Sequence, residues 1–364
     1  MPKINEITSV IEKFAPLPLQ ESYDNAGLIV GDRNMEVTGA LICLDSTEDV
    51  VDEAIKMGFN LIIAHHPIVF SGLKKINGNN YIERVIIKAI KNNIAIYAAH
   101  TNLDNVKQGV NAKICEKIGL KDVRILAPIK GNLRKLVTFC KSDNAEEIRQ
   151  ALFNAGGGVI GNYDECSFSA LGYGTFRGGE GTNPFIGEKG VQAREEEVRI
   201  ETVFPAYLAS KMVKALMAAH PYEEVAYDIY PLEIENPNTG AGMIGTIDSI
   251  DEMEFLSSLK DKMQTDCIRH TKTLGRRIKT VAVCGGAGSF LLRDAIRSEA
   301  DVFITGDFKY HQFFDSEGRI IIADIGHYES EQFTKEILYD ILTTNFSTFA
   351  ARISNINTNP IKYL

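Results

Sequence analysis

Between Gly39 and Asn105, short runs of Ile, Leu and Ala alternate with stretches whose apolar residues recur every three or four positions. The runs ALICLD, NLIIAHH and IAIYAAH predict buried strands, and EDVVDEAIKM and YIERVIIKAIKNN predict amphipathic helices between them. Gly58 stands where a left-handed cap ends the first helix. Strands without polar alternation, joined by helices, imply a parallel sheet covered on both faces. The chain from Lys279 onward reads the same way: KTVAVCGG, FLLRDAIRS, DVFITGD, a short helical stretch, RIIIADIGH, and a long helix from about Glu329 to Thr343. Laying Cys43 on Cys284, an offset of 241 residues, puts Ala54-Ile55 on Ala295-Ile296, Asn60 on Asp301 and Leu61-Ile62-Ile63 on Val302-Phe303-Ile304 without a gap. His66 then falls on Asp307. The two segments read as related βαβ-type halves of a bilobal α/β host.

A different pattern fills the stretch from about Leu133 to Glu235. It runs as strand (RKLVTFC), helix (AEEIRQALFNAG), two extended segments around a glycine-rich loop from Arg177 to Gly190, helix (LASKMVKALMAAH) and strand (EEVAYDIYPL). The order βαββαβ is the ferredoxin-like α+β unit, whose neighbouring chain ends allow insertion into a host domain. The expected division is therefore residues 1–131, an inserted module at 132–236, and 237–364.

Composition changes this picture little. A length of 364 residues favours two or three domains. With 45% hydrophobic and 24% charged residues, the chain has ordinary globular composition. The net charge of −9 argues against non-specific nucleic-acid binding, which needs surplus Lys and Arg to displace counterions. Six cysteines with no CxxC pair read as reduced, mostly buried thiols. Ile4, Ile7, Val10, Ile11 and Phe14 recur at helical spacing among charged residues, unlike a signal peptide. No apolar run reaches the ~18 residues of a membrane span, and a cytoplasmic location is expected.

The candidate chemistry lies at strand ends, where open parallel sheets place their ligands. His65 and His66 follow NLIIA, His100 and Asp104 follow IAIYAA, Asp45 ends ALICL, Asp307 follows VFITG, and Asp324 and His327 end RIIIA. Adjacent histidines on a regular strand point to opposite faces, but Pro67 permits a turn in which both rings converge. His327 and Glu331, spaced i and i+4, share one side of a helix beginning at about Tyr328. Three imidazoles and two carboxylates (His65, His66, Asp104, His327 and Glu331) exceed the needs of one four-coordinate ion and suit a pair of divalent cations, Zn, Fe, Mn or Co. Asp24 and Asn25 are candidates for orienting a water or substrate, a plain turn being the competing reading. Asp45, Thr47, Asp307 and His311 are placed to back the imidazoles. Of these, Asp45 and His311 are the expected catalytic, proton-transferring residues. GGAGS (285–289) lies between strand and helix, where backbone N–H groups either cradle a phosphate or close a tight turn. His220 reads as a domain-interface or helix-end residue rather than a ligand.

Taken together, YDNAGL (23–28), AHHP (64–67), HTNLD (100–104), TGD followed by KYH (305–311) and GHYESE (326–331) resemble the Nif3-like dinuclear metal centre proteins, also called GTP cyclohydrolase 1 type 2 homologues. The resemblance runs nearly end to end, and the inserted module resembles the PII/CutA-like domain of the longer members. It implies a homohexameric toroid, two metals facing an internal cavity, the same five ligands, and Glu331 as the bridging group. The function expected is that of a metal-dependent hydrolase acting on a nucleotide or another phosphate-bearing small molecule, with opening of the GTP purine ring as the specific reaction. The alternative is a non-enzymatic ring that stores, delivers or senses metal under control of the PII-like insertion.

Overall fold

A computed structural model describes all residues, 1–364. The chain divides into two compact units, Met1–Pro128 with Asn238–Leu364, and Ile129–Pro237. No helix is long and apolar enough to cross a membrane.

The discontinuous unit contains two sheets. In the first, the order is Gly27–Val30, Ala95–Ala98, Leu61–Ala64, Ala40–Cys43 and Ala351–Ile353. In the second, it is Arg269–His270, Ile321–Asp324, Val302–Gly306, Ile278–Ala287, Glu235–Ile250 and Lys121–Lys130. The all-parallel expectation needs correcting. Gly27–Val30 and Arg269–His270 are antiparallel edges, and Glu235–Ile250 also runs antiparallel to Ile278–Ala287. The inner strands are parallel, and so is the edge strand Ala351–Ile353 to Ala40–Cys43.

The 241-residue offset preserves the register. Ala40, Leu41 and Ile42 pair with Leu61, Ile62 and Ile63, while Val281, Ala282 and Val283 pair with Val302, Phe303 and Ile304. Alternate residues enter opposite faces, as strand geometry requires. Ile42, Ile63 and Tyr97 join Val283, Ile304 and Ala323 in one core, with helices Ile4–Phe14, Val110–Ile118 and Thr334–Asn345 packed into it. The opposite face of the first sheet, Leu41, Ile62 and Ile96, is covered by Glu48–Met57 and Tyr81–Lys91. Each fully buried Ile or Leu contributes roughly 2 kcal/mol by leaving water, so the apolar runs fix where the strands end. Local signals set the helix limits: Thr47 accepts from Val50 N at 3.4 Å, and Gly58 caps at φ 67°.

Residues 129–237 fold separately as Leu133–Cys140, Ala145–Asn154, Ser167–Arg177, Gln192–Pro205, Ala209–Ala219 and Tyr227–Leu232. The four strands are antiparallel, and in sheet order the fourth lies beside the first, then the third, then the second. This is the ferredoxin-like arrangement. Its helices bury Ile148, Leu152, Met212 and Leu216 against Leu136, Val198 and Ile200. His220 ends the second helix: Nε2–H donates to Phe139 O at 2.9 Å, and Nδ1 accepts from Tyr222 N at 3.2 Å.

Candidate metal centre

The strand Leu61–Ala64 stops just before His65, but its backbone stays tied to the neighbouring strand's continuation. His65 N donates to Cys43 O at 3.2 Å, and His66 N to Leu44 O at 2.9 Å. The two rings lie 4.9 Å apart on one side of the chain. Asp104 closes the single helical turn Thr101–Asp104 that follows Ala95–Ala98. The helix expected from about Tyr328 begins one residue earlier, at His327, and ends at Glu331, with a second helix from Thr334. Its i, i+4 pair meets as intended, His327 Nε2 lying 3.1 Å from Glu331 Oε2.

All five expected ligands converge. Each histidine is oriented by an acceptor at Nδ1, so each Nδ1 must carry the proton. His65 donates to Ala99 O at 2.8 Å, His66 to Asp45 Oδ1 at 2.7 Å, and His327 to Asp307 Oδ2 at 2.8 Å. The three Nε2 atoms are left to meet around Glu331. Its Oε2 is 2.9 Å from His66 Nε2, and its Oε1 is 3.7 Å from His65 Nε2. Two donor sets result, His66–His327–Glu331 and His65–Asp104–Glu331. The first has edges of 2.9, 3.1 and 3.3 Å, close to the about 3.4 Å separating ligand atoms around a tetrahedral ion with 2.1 Å bonds. In the second, His65 Nε2 and Asp104 Oδ1 are buried without a hydrogen-bond partner and face each other at 3.7 Å. Such orphaned polar atoms are costly to bury, and a cation between them removes that cost. The residues therefore fit a pair of metal ions.

Electrostatics agrees. Burial opposes charge on His66, but Asp45 and Glu331 outweigh it and carry its pKa up to about 10. His327 follows, burial being overcome by the charge of Glu331 and the hydrogen bond to Asp307, to about 11. Asp104 is pushed up by burial and by the nearby Glu331 charge, whereas the imidazoles hold the buried Glu331 well below the usual carboxylate range. Protons thus compensate the carboxylates where cations would do so, and a metal ion held there would displace them.

The surrounding residues depart from expectation in instructive ways. Asp45 has both oxygens engaged, by His66 and by Thr358 Oγ1 at 2.6 Å, so it positions His66. Its proton-transfer role is not what this geometry favours. His311 is not at the cluster. Asp307 takes φ 58°, Phe308 enters the core, and His311 emerges on the exposed turn Tyr310–Ser316, its ring against Tyr310 and Phe314. Asp324 accepts from Phe308 N and Gly326 N, at 2.9 and 3.0 Å, and shapes the turn before His327.

The GGAGS amides do not await a phosphate. Gly285 donates to Asn111 Oδ1, Gly286 to Ser330 Oγ and Gly288 to Thr305 Oγ1, each at 2.9 Å. At Gly286, φ is 63° and a Cβ would stand 2.4 Å from Glu331 Oε1. The glycine is what lets that carboxylate in. Sequence reasoning noted His100 and Asp24 separately but not their pairing. His100 Nδ1–H donates to Asp24 Oδ1 at 2.7 Å, and its ring lies 5.3 and 5.4 Å from those of His65 and His66. Burial alone would raise the Asp24 carboxyl, but hydrogen bonds from His100 and Thr101 bring it down to about 2. The cluster opens into a cavity of about 670 Å³ whose lining includes Tyr23, Phe70, His100, Phe290, Tyr328 and Ile361.

A family model described as Duf34/NIF3 (NGG1p interacting factor 3) matches residues 2–360. The chain belongs to the Duf34/NIF3 family. Among curated NIF3 relatives, the protein named GTP cyclohydrolase 1 type 2 homolog from Halalkalibacterium halodurans is 40% identical over 365 residues, covering 98% of each chain. That of Bacillus subtilis is 39% identical over 366 residues, covering 99% of this chain and 98% of its own. The crystal structure of a Bacillus cereus protein related to NIF3 superposes with a TM-score of 0.88 at 40% identity, covering 100% of this chain and 99% of that one. Staphylococcus aureus protein SA1388 gives 0.79 at 30% identity, with the same coverage.

Proposed function

We propose that His66, His327 and Glu331 hold one divalent cation, that His65, Asp104 and Glu331 hold a second, and that the chain is a metal-dependent hydrolase of a nucleotide or another phosphate-bearing small molecule. The observation that carries this reading is Glu331, buried with one oxygen toward each donor set while His65 Nε2 and Asp104 Oδ1 lack partners. Two bound cations supply Lewis-acid activation of water and of the bond attacked. The chain's own contribution is to orient. Asp45, Asp307 and Ala99 O fix the three rings, and Glu331 keeps the two donor sets in register. His100, fixed on Asp24, takes the proton-transfer role expected of Asp45 and His311, moving a proton at Nε2. A cavity of about 670 Å³ admits a nucleotide-sized molecule, and the exposed rings of Tyr23, Phe70 and Phe290 offer faces for a flat base. The name of the relatives, GTP cyclohydrolase 1 type 2 homolog, directs the reading toward hydrolysis of GTP. The strand order of residues 129–237 supports reading that unit as a PII/CutA-like regulatory module.

The test loads purified protein with Zn, Mn or Fe and compares wild type with Glu331→Gln on a panel of nucleotides and phosphoesters. Metal-dependent turnover is expected in wild type and absent from the variant. Equal turnover in both removes the hydrolase reading. Two retained ions with no turnover on any substrate favours metal storage, delivery or sensing instead.

A further inference from the structure

The segment after the last strand, Ala351–Ile353, forms no helix or sheet, yet it is fastened at successive points. Ser354 N donates to Ile42 O at 2.8 Å, and Ser354 Oγ and Asn355 N both donate to Glu53. Asn359 Nδ2 donates to Glu329 Oε1 at 2.9 Å, on the short helix that carries His327 and Glu331. Asn359 N and Ile361 N close local turns on the side chains of Asn357 and Asn359, at 2.9 and 3.0 Å. Between these anchors, the Thr358 hydroxyl reaches Asp45, and Asn359, Pro360 and Ile361 continue as part of the cavity wall.

We infer that Thr358 is a positioning residue for one of the two metal positions, acting through Asp45 on His66, so that its hydroxyl conditions the His66–His327–Glu331 set and does not act on His65 of the other set. The inference rests on the dinuclear reading above. The Asp45 carboxylate is shared between two donors, with Oδ1 taking the His66 Nδ1–H at 2.7 Å and Oδ2 the Thr358 hydroxyl at 2.6 Å. Because the Asp45 side chain is 35% exposed, one hydrogen bond alone leaves it able to rotate toward water and carry the ring with it. The second fixes the carboxylate plane, and therefore the direction of His66 Nε2. His65 has no such dependence. Its Nδ1–H is held by the backbone oxygen of Ala99, in a side chain with 0% exposure. Asp307, which holds His327 at 2.8 Å, likewise makes no hydrogen bond to the strap.

The experiment titrates metal-free wild type, Thr358→Val and Thr358→Ser with Co2+. It counts bound ions by native mass spectrometry and follows the visible d–d absorption that reports ligand geometry. Valine keeps the shape and removes the hydroxyl; serine restores it. Outer hydrogen-bond partners of metal ligands are worth roughly 10- to 100-fold in affinity. Wild type and the serine variant should therefore take two ions tightly, while the valine variant takes one as wild type does and the second more weakly, by up to about tenfold, since Thr358 acts one bond further out than Asp45. On an Asp45→Ala background, Thr358→Val should add nothing further, because the relay is already cut. Two ions bound at wild-type affinity by Thr358→Val overturn the inference and leave the metal centre standing. Equal weakening of both ions, or no rescue by serine, overturns it as well, showing a merely structural strap. Wild type that binds fewer than two ions sinks the dinuclear reading itself and this inference with it.

Discussion

The sheet built on Ala40–Cys43 and the sheet built on Ile278–Ala287 repeat each other closely in backbone and oppose each other in chemistry. Both order an antiparallel edge, then the third, second and first parallel strands. Even a flanking hydrogen bond recurs, Thr38 N to Asn60 Oδ1 at 2.8 Å and Lys279 N to Asp301 Oδ2 at 2.9 Å. At the strand ends the likeness stops. Leu44-Asp45-Ser46-Thr47 corresponds to Gly285-Gly286-Ala287-Gly288, and His65-His66 to Gly306-Asp307. One half fills these positions with donors and their supports. The other keeps one support, Asp307 on His327, and otherwise makes room, because a Cβ at Gly286 would strike Glu331, and one at Gly306 would lie 2.8 Å from His327 N. A repeated backbone thus says where a site lies, while the asymmetry between its copies says at which strand ends side chains enter and at which room is left for them.

The severest way to break this complementarity is Gly286→Ala. Left-handed strain and the 2.4 Å approach to Glu331 act together, so the variant should lose about 2–3 kcal/mol and bind neither ion tightly, read by thermal melting and metal analysis. Gly58→Ala is its control, since φ is similar at 67° but nothing lies within 4 Å. It should lose about 1 kcal/mol with metal content intact, and equal metal loss in both variants would sink the argument from space.

A smaller effect sharpens the donor-rich side. The Asp24 carboxyl lies at about 2 in the folded chain against 3.8 as a free side chain, so its stabilisation is complete above 3.8 and fades as pH falls toward 2. Asp24→Asn should cost on the order of 2 kcal/mol near neutrality and flatten the acid limb of stability against pH in urea unfolding. Parallel curves for variant and wild type would contradict this.

The smallest effect belongs to His311→Ala. Exposed on its turn and away from the cavity lining, it should change stability by less than about 0.5 kcal/mol and leave bound metal unchanged. Loss of an ion would return His311 to the site.

Legibility in the sequence followed the range of the physics involved. Unbroken apolar runs gave away the inner strands, and the i, i+4 spacing of His327 and Glu331 anticipated a shared helix face, because both are periodic and local. Arg269–His270 is too short for any period to show, while Gly27–Val30, as long as the inner strands of its sheet, takes its antiparallel direction from a distant partner, and Ala351–Ile353 owes its place to pairing with Ala40–Cys43. His311 misled because KYH follows a strand end directly, while Phe308, buried in the core, diverts the chain. Thr358 was invisible for a different reason. Its partner lies 313 residues away, and a lone hydroxyl in an unstructured stretch carries no pattern.

Glu331 reaches His66 across 265 residues of sequence. A polypeptide leaving the ribosome exposes His65, His66 and Asp104 long before that carboxylate has been made. Until the helix His327–Glu331 is made, one donor set holds only His66 and the other lacks its shared carboxylate. Both candidate donor sets therefore wait on the same five-residue helix, whichever part of the chain folds first.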